Sequence, residues 1–355
     1  MIQSNADPVL VMGAGHQGLT MAAHLLHSGV ECRLWNRTAA HLQAVIKSGH
    51  IECEGIIKAS VPIGKVSSKI EEVLEKNILV TAPSLAHKDI AKILAPYMDD
   101  SYMVVLNPGR TFGILEFVKA LIDNGCYSLP TIAETQSIVY TCRRNDENGV
   151  ILYAIKDAVK LSTLEAEESA RVIARLPIPI RNHFLPAESF YETSFGNVGM
   201  ILHCLPVLLN TGWIESNKTC FEYYYDGISE SIADLLEKLD EERVSIAQKF
   251  GCQVETTVQW LQRIYGTSGI SLYENLQTNR CYAGIDAPQS LHHRYLEEDI
   301  PNGLVALESA GKYIGKSTPI ATLIIDLANL VMKTDYRESG RKYSELVAVL
   351  KKGRF

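Results

Sequence analysis

None of the eight cysteines (32, 53, 126, 142, 204, 220, 252 and 281) forms a CxxC pair, and none lies with histidine at zinc-ligand spacing. A structural zinc site or a dithiol redox centre is therefore not expected, and no metal is. Scattered thiols in apolar settings fit a reduced, cytoplasmic protein. Basic runs are also missing. With 34 Lys and Arg against 41 Asp and Glu, the formal net charge is -7, so nucleic acid is not an expected partner. A small anionic substrate is still allowed, because local field outweighs total charge. The longest apolar runs, such as 318–332, contain polar or charged residues and are too short to span a bilayer. No N-terminal signal segment is visible, so no membrane association is expected. Repeats and low-complexity tracts are absent, which excludes solenoids and tails.

What is present is a chain of 355 residues, long enough for two domains. It begins with PVLVMGAGHQG. Residues 9–12 read as a buried parallel strand, 19–26 as a helix closed by Gly29, and 31–35 as a second strand. Between them Gly13, Gly15 and Gly18 fit G-x-G-x-x-G. Each glycine has a job: Gly13 for the tight turn, Gly15 for close approach of a pyrophosphate, Gly18 for helix–strand packing. The free N–H groups of the helix start then face the phosphates. His16 and Gln17, inside the motif, join these glycines as candidate cofactor contacts. The glycine pattern is weak alone, but its place between a strand and a helix strengthens it.

The end of the second strand reads Asn36-Arg37-Thr38, where a carboxylate would accept from the ribose 2′-OH of NAD. A guanidinium there favours NADP(H), with NAD(H) left open. Strand and helix patterns then alternate: strand 77–82, helix 85–97, strand 102–106, helix 114–123, and short strands at 131–133, 138–141 and 150–154. That alternation predicts an α/β Rossmann domain, doubly wound with a mostly parallel sheet. Pro83 and Ser84, and residues 107–110, follow strands and should line the cofactor crevice. LPIPI at 176–180 marks a boundary, which gives domains 1–178 and 179–355. The second is mainly α-helical, with helices at 189–214, 228–251, 254–265, 304–314 and 319–334 and a polar, loop-like stretch at 266–300. The crevice between the domains is the expected substrate site.

Within the second domain, NVGMILHCLPVLLN (197–210) places His203 and Asn210 on one helical face, with Pro206 expected to kink the helix. The chain has ten histidines. His16 belongs to the glycine loop, His24, His27 and His41 read as helix-surface residues, and His292 and His293 fall in the polar loop. His203 alone has an apolar, buried setting. A nicotinamide enzyme needs such a proton donor or acceptor. A buried imidazole in turn needs a carboxylate to hold its tautomer and raise its pKa. Asp226, Asp286, Glu298 and Asp299 are candidates, and spacing does not choose among them.

Several stretches together resemble the opine dehydrogenase family, which includes octopine, nopaline and carboxyethyl-norvaline dehydrogenases. They are GAGHQG (13–18), NPGRTFG (107–113), AETQSIVYTCR (133–143), NVGMILHCLPVLLN (197–210), EDIPNGL (298–304) and GR (340–341). The resemblance spans nearly the whole chain. It implies reductive condensation of an amino acid with a 2-oxo acid, NAD(P)H giving the hydride and a secondary-amine dicarboxylate being the product. It also implies that His203 is the catalytic acid/base and Asp299 its partner. Arg110 and Thr135 are candidates for the 2-oxo acid carboxylate, Arg294 for a second anchor, and Asn197 and Asn210 for substrate contact or for fixing the helix. Two alternatives stand beside this reading. One is a ketopantoate-reductase-like enzyme, which would use a lysine; Lys156 and Lys249 exist but sit in no motif. The other is a non-catalytic NADPH sensor. The partners expected are the two small-molecule substrates, and a homodimer is left open.

Overall fold

The computed structural model describes residues 7–216 and 220–352. These fall into two compact units. One holds residues 7–109 and 113–193, the other 110–112 and 194–352.

The first unit is built on an eight-stranded sheet. Its strands are β1 (Val9–Met12), β2 (Cys32–Trp35), β5 (Lys65–Ser67), β6 (Asn77–Val80), β7 (Met103–Leu106), β8 (Thr131–Thr135), β11 (Val159–Thr163) and β12 (Phe184–Pro186). Their order is β12-β11-β8-β7-β6-β1-β2-β5, and every pairing is parallel except β8 with β11. β1, β6 and β7 are buried along their whole length, as strands covered on both faces must be. The chain reverses direction across the sheet beside β1, where ligands of doubly wound folds bind. The expected boundary at 178/179 comes too early, because β12 pairs in parallel with β11 and keeps the chain in this unit.

A second sheet is absent from the sequence reading. It has four strands, β3 (His50–Gly55), β4 (Ala59–Pro62), β9 (Tyr140–Arg144) and β10 (Gly149–Ile155), in the order β4-β3-β10-β9. The strands expected at 138–141 and 150–154 belong here. In β3 only Ile51 and Cys53 are buried, which is too short an alternation to read reliably. Both lie in one core with Ala22, Leu25 and Val150. The helix His16–His27 is therefore buried from Gln17 to Leu25, and His24, expected on the surface, is inside.

The second unit is helical. The helix expected over 189–214 is three pieces, Phe190–Phe195, Gly199–Leu209 and Thr211–Ser216, the first falling within the first unit for most of its length. The break after Phe195 has a cause: the Asn197 side chain accepts from Gly199 N at 3.2 Å and starts a new helix. Arg243, fully buried, donates to Phe195 O at 2.6 Å and to Glu255 O at 2.6 Å, and ties down the residue before the break. Pro206 sits inside the second piece. It withdraws the donor that Leu202 O would otherwise receive, and the Tyr223 hydroxyl donates instead to Leu202 O (3.2 Å) and His203 O (2.7 Å). The long amphipathic helix runs Glu230–Lys249 from a Ser229 cap, with Gly251 left-handed just past its end. The stretch read as loop-like carries short helices at Leu272–Thr278 and Arg294–Glu297.

Candidate functional site

Two clusters of the expected residues form, one in each unit. In the first, the loop after β1 shows why each glycine is there. Gly13 has φ +119, and a Cβ would lie 2.9 Å from Ala82 N. A Cβ on Gly18 would lie 1.7 Å from Gly13 O and 2.8 Å from Thr81 Oγ1, so no side chain fits. Gly15 differs. It is exposed, and a Cβ there meets nothing within 4 Å. Protein packing does not demand glycine at 15, and the open space beside it leaves room for a ligand's close approach. Gly15 also caps the helix His16–His27, whose first turn has no acid to compete with an anion. These features fit a bound pyrophosphate.

Around this loop, Asn36 Oδ1 accepts from Ala14 N at 3.1 Å and its amide donates to Thr38 O at 3.0 Å, so Asn36 braces the glycine turn. Arg37 is exposed and forms an ion pair with Asp89. Gln17 is buried and its amide reaches Tyr140 O at 3.5 Å; His16 is half-buried. Pro83 is exposed and Ser84 buried at the start of the turn after β6.

Thr135 has a structural place. Its hydroxyl lies 3.0 Å from Ser137 O and 3.2 Å from Asn107 Oδ1, bracing the loop after β7. Its neighbour Glu134, fully buried, accepts from Ile114 N and from Thr193 Oγ1, both at 2.8 Å, and fills the space beside Gly109.

The second cluster lies wholly in the helical unit and surrounds His203. His203 Nδ1 and Asp299 Oδ2 are 2.7 Å apart. Asp299 Oδ1 lies 3.5 Å from Arg110 Nη1, and Glu298 Oε1 lies 3.8 Å from Arg110 Nε. Arg110 Nη1 also donates to Asn197 Oδ1 at 3.1 Å, and Asn197 donates in turn to Thr111 Oγ1 at 3.2 Å. Arg341, buried, donates to Thr111 O at 2.9 Å. Arg110 and Phe112 both have left-handed backbones, φ 63 and 60, a strained geometry that surrounding contacts must enforce. Gly199 makes room: a Cβ there would lie 2.5 Å from Arg110 Nη1. Gly303, in the π-helical turn after Asp299, likewise lets Met200 approach.

The imidazole is held on its other sides by tyrosines. Tyr295 stacks on it with centroids 3.9 Å apart and planes 13° apart. The Tyr224 hydroxyl lies 3.4 Å from His203 Nε2, and Tyr224 itself stacks on Tyr282. Sequence reasoning missed Tyr224 and Tyr295. The run of three tyrosines at 223–225 was the available signal. Arg294 lies beside Tyr295 and forms no ion pair among the described residues. Asn210 spends its amide on Pro206 O and Gly227 O, both at 2.8 Å, and closes the helix end.

The electrostatics follow from this geometry. Burial pushes the Asp299 carboxyl up, but Arg110, His203 and Arg294 outweigh it and hold the group down at about 2. Burial also pushes His203 below its ordinary value, and the pull of Asp299 does not fully offset it. Asp299 raises it as expected, but burial outweighs that pull and favours the neutral ring. With Nδ1–H donated to ionised Asp299, Nε2 is left as the acceptor. Such an arrangement can take a proton and briefly hold it.

Among the described residues no cluster of His, Cys, Asp and Glu is placed to hold a metal, and no helix is long and apolar enough to cross a membrane. Lys156 donates to Ile138 O at 3.0 Å and Lys249 is exposed at a helix end, so neither is built as a buried catalytic amine.

Residues 186–332 match the family described as NAD/NADP octopine/nopaline dehydrogenase, alpha-helical domain. Residues 9–165 match the ketopantoate reductase PanE/ApbA family. The chain is 34% identical to an opine dehydrogenase of Arthrobacter sp. (strain 1C) over 349 residues, covering 98% of this chain and 96% of that one. It is similar in fold to a solved octopine dehydrogenase with NADH and L-arginine (TM-score 0.76, 18% identity, 99% of both chains). It is also similar to yersinopine dehydrogenase with NADP+ bound (TM-score 0.74, 13% identity, 98% of both chains).

Proposed function

Since this chain belongs to the opine dehydrogenase family of NAD(P)-dependent oxidoreductases, we propose that it joins the amino group of an amino acid to a 2-oxo acid, pyruvate being the simplest, and reduces the product to a secondary-amine dicarboxylate. One observation carries the reading: buried His203 has its Nδ1 2.7 Å from Asp299 Oδ2 and its Nε2 turned away from that carboxylate.

The amino acid arrives as an ammonium ion, which cannot attack a carbonyl. His203 Nε2 takes one of its protons, and Asp299 stabilises the imidazolium that forms. The freed amine adds to the keto carbon, and a proton shifts within the adduct from nitrogen to oxygen. His203 then returns its proton to the hydroxyl, water leaves and an iminium remains. The nicotinamide cofactor, when bound, supplies the hydride that reduces the iminium carbon. His203 ends neutral, as it began. Asp299 is a positioning residue, held ionised by Arg110. Arg294, over the Tyr295 ring, and Arg110 are the groups proposed to hold substrate carboxylates; Asn197 orients Arg110.

For the cofactor, Gly13, Gly15, His16, Gln17 and Gly18 would hold the pyrophosphate region. Asn36, Arg37, Thr38, Pro83 and Ser84 would hold the adenosine side. The Arg37 guanidinium supports NADP(H) over NAD(H). The test follows loss of reduced-nicotinamide absorbance with pyruvate and 2-oxoglutarate against the twenty amino acids, with NADPH and NADH in parallel. Turnover that requires both an amine and an oxo acid is the expected result. Turnover with an oxo acid alone would instead indicate a simple reductase.

A further inference from the structure

β2 ends without the carboxylate that would accept from an NAD ribose 2′-OH, yet a carboxylate is nearby. Asp89 lies 52 residues further on, in the first turn of the helix His87–Leu94 after β6. Its Oδ2 meets Arg37 Nη1. Both side chains are more than half exposed, 62% for Arg37 and 58% for Asp89, so the pair is not buried for stability and is open to a ligand. The neighbouring Lys88 turns instead to Glu116 at 3.2 Å. Asn36, next to Arg37, is committed to the glycine turn.

The two cofactors differ only at the ribose 2′ position, and they make opposite demands on this pair. A 2′-phosphate draws Arg37 and is repelled by Asp89. A 2′-hydroxyl needs an acceptor, and Asp89 is one that need not leave Arg37 to serve. We propose that Asp89 is a specificity-determining residue for the cofactor: it supplies, from a different helix, the carboxylate that β2 lacks, and so lets a site carrying Arg37 accept NADH as well as NADPH. The inference rests on the cofactor site proposed above.

The experiment titrates wild type, Asp89→Asn, Arg37→Ala and the double variant with NADPH and with NADH by calorimetry. An exposed charge contact of this kind is worth about a fivefold change in affinity. Asp89→Asn is expected to tighten NADPH and weaken NADH, moving their ratio by about fivefold or more. Arg37→Ala is expected to weaken NADPH and leave NADH near wild type. A ratio in Asp89→Asn within twofold of wild type, or one moved toward NADH, overturns the role of Asp89 if Arg37→Ala still weakens NADPH. If Arg37→Ala leaves NADPH binding unchanged, the placement of the adenosine side fails, and the proposal fails with it. Each variant's melting temperature checks that the fold is intact.

Discussion

The glycine loop and the histidine cluster reach their geometry by different routes. The loop is largely local: Gly13, Gly15 and Gly18 lie within six residues, Gly18 is forced by Gly13 O at 1.7 Å, and the contact of Gly13 with Ala82 N at 2.9 Å comes from elsewhere in the chain. The cluster is assembled from far apart. Arg110 meets Asn197 across 87 residues and His203 meets Asp299 across 96. A local device depends on backbone room. A distant one depends on buried charge being balanced: burial pushes the Asp299 carboxyl up, and Arg110 and His203 pull it back down. Binding and chemistry should therefore fail separately when each region is altered.

The sharpest way to break that separation is His203→Ala. Turnover should fall about 10²–10⁴-fold, the usual worth of general acid–base catalysis, with cofactor affinity unchanged by calorimetry. Loss of cofactor binding in this variant would show that the regions are not independent. Gly18→Ala attacks the other side. Its Cβ would strike Gly13 O, and overpacking of this kind costs about 1–3 kcal/mol. A lowered melting temperature with weakened cofactor binding is expected, and unchanged values for both would contradict the crowding.

Tyr224→Phe sharpens the account of His203. The hydroxyl facing Nε2 favours the neutral ring, so removing it should raise the His203 pKa. The acid limb of kcat/KM should move to higher pH, with turnover changed only several-fold, about what one neutral hydrogen bond contributes. An unmoved limb would mean that Tyr224 does not contact the working ring. The smallest effect at neutral pH concerns His24. Burial first, then nearby histidine charge, lowers it from 6.5 to about 4, while its Nδ1 meets the Tyr140 hydroxyl at 2.9 Å. The unfolded chain takes up this proton near 6.5 and the folded chain near 4. Stability should thus fall as pH drops through that window and level off below it. Melting temperatures of wild type and His24→Gln across the window test this; parallel curves would rule His24 out. His293, lowered to about 4 by burial, adds to the wild-type slope in the same direction.

Much of the first unit was readable because its signals are short-range. β1, the helix after it and β2 each show their own periodicity within a dozen residues. The second sheet was not readable, since β3 pairs with β10 nearly a hundred residues away and has only Ile51 and Cys53 on its buried face. His24 was misread for the same reason: the surface it was expected to occupy is covered by that sheet. In the histidine cluster, His203 stood out as a polar residue in an apolar run. Its carboxylate did not, because Asp226, Asp286, Glu298 and Asp299 look alike without the fold. Only family resemblance singled out Asp299. Thr135 was read as a candidate for the 2-oxo acid carboxylate, and no local pattern signalled that its hydroxyl also braces the neighbouring loop.

The chain by itself determined where a glycine loop of dinucleotide-binding type forms and that His203 is buried. Both follow from local patterns: backbone room at glycine, and a helix too apolar to leave in water. Tertiary structure decided the rest. It set which carboxylate faces His203, which way the ring's pKa moves, what Arg110 balances, and that Arg37 meets Asp89. Those outcomes depend on distance and burial, and neither exists until distant segments pack.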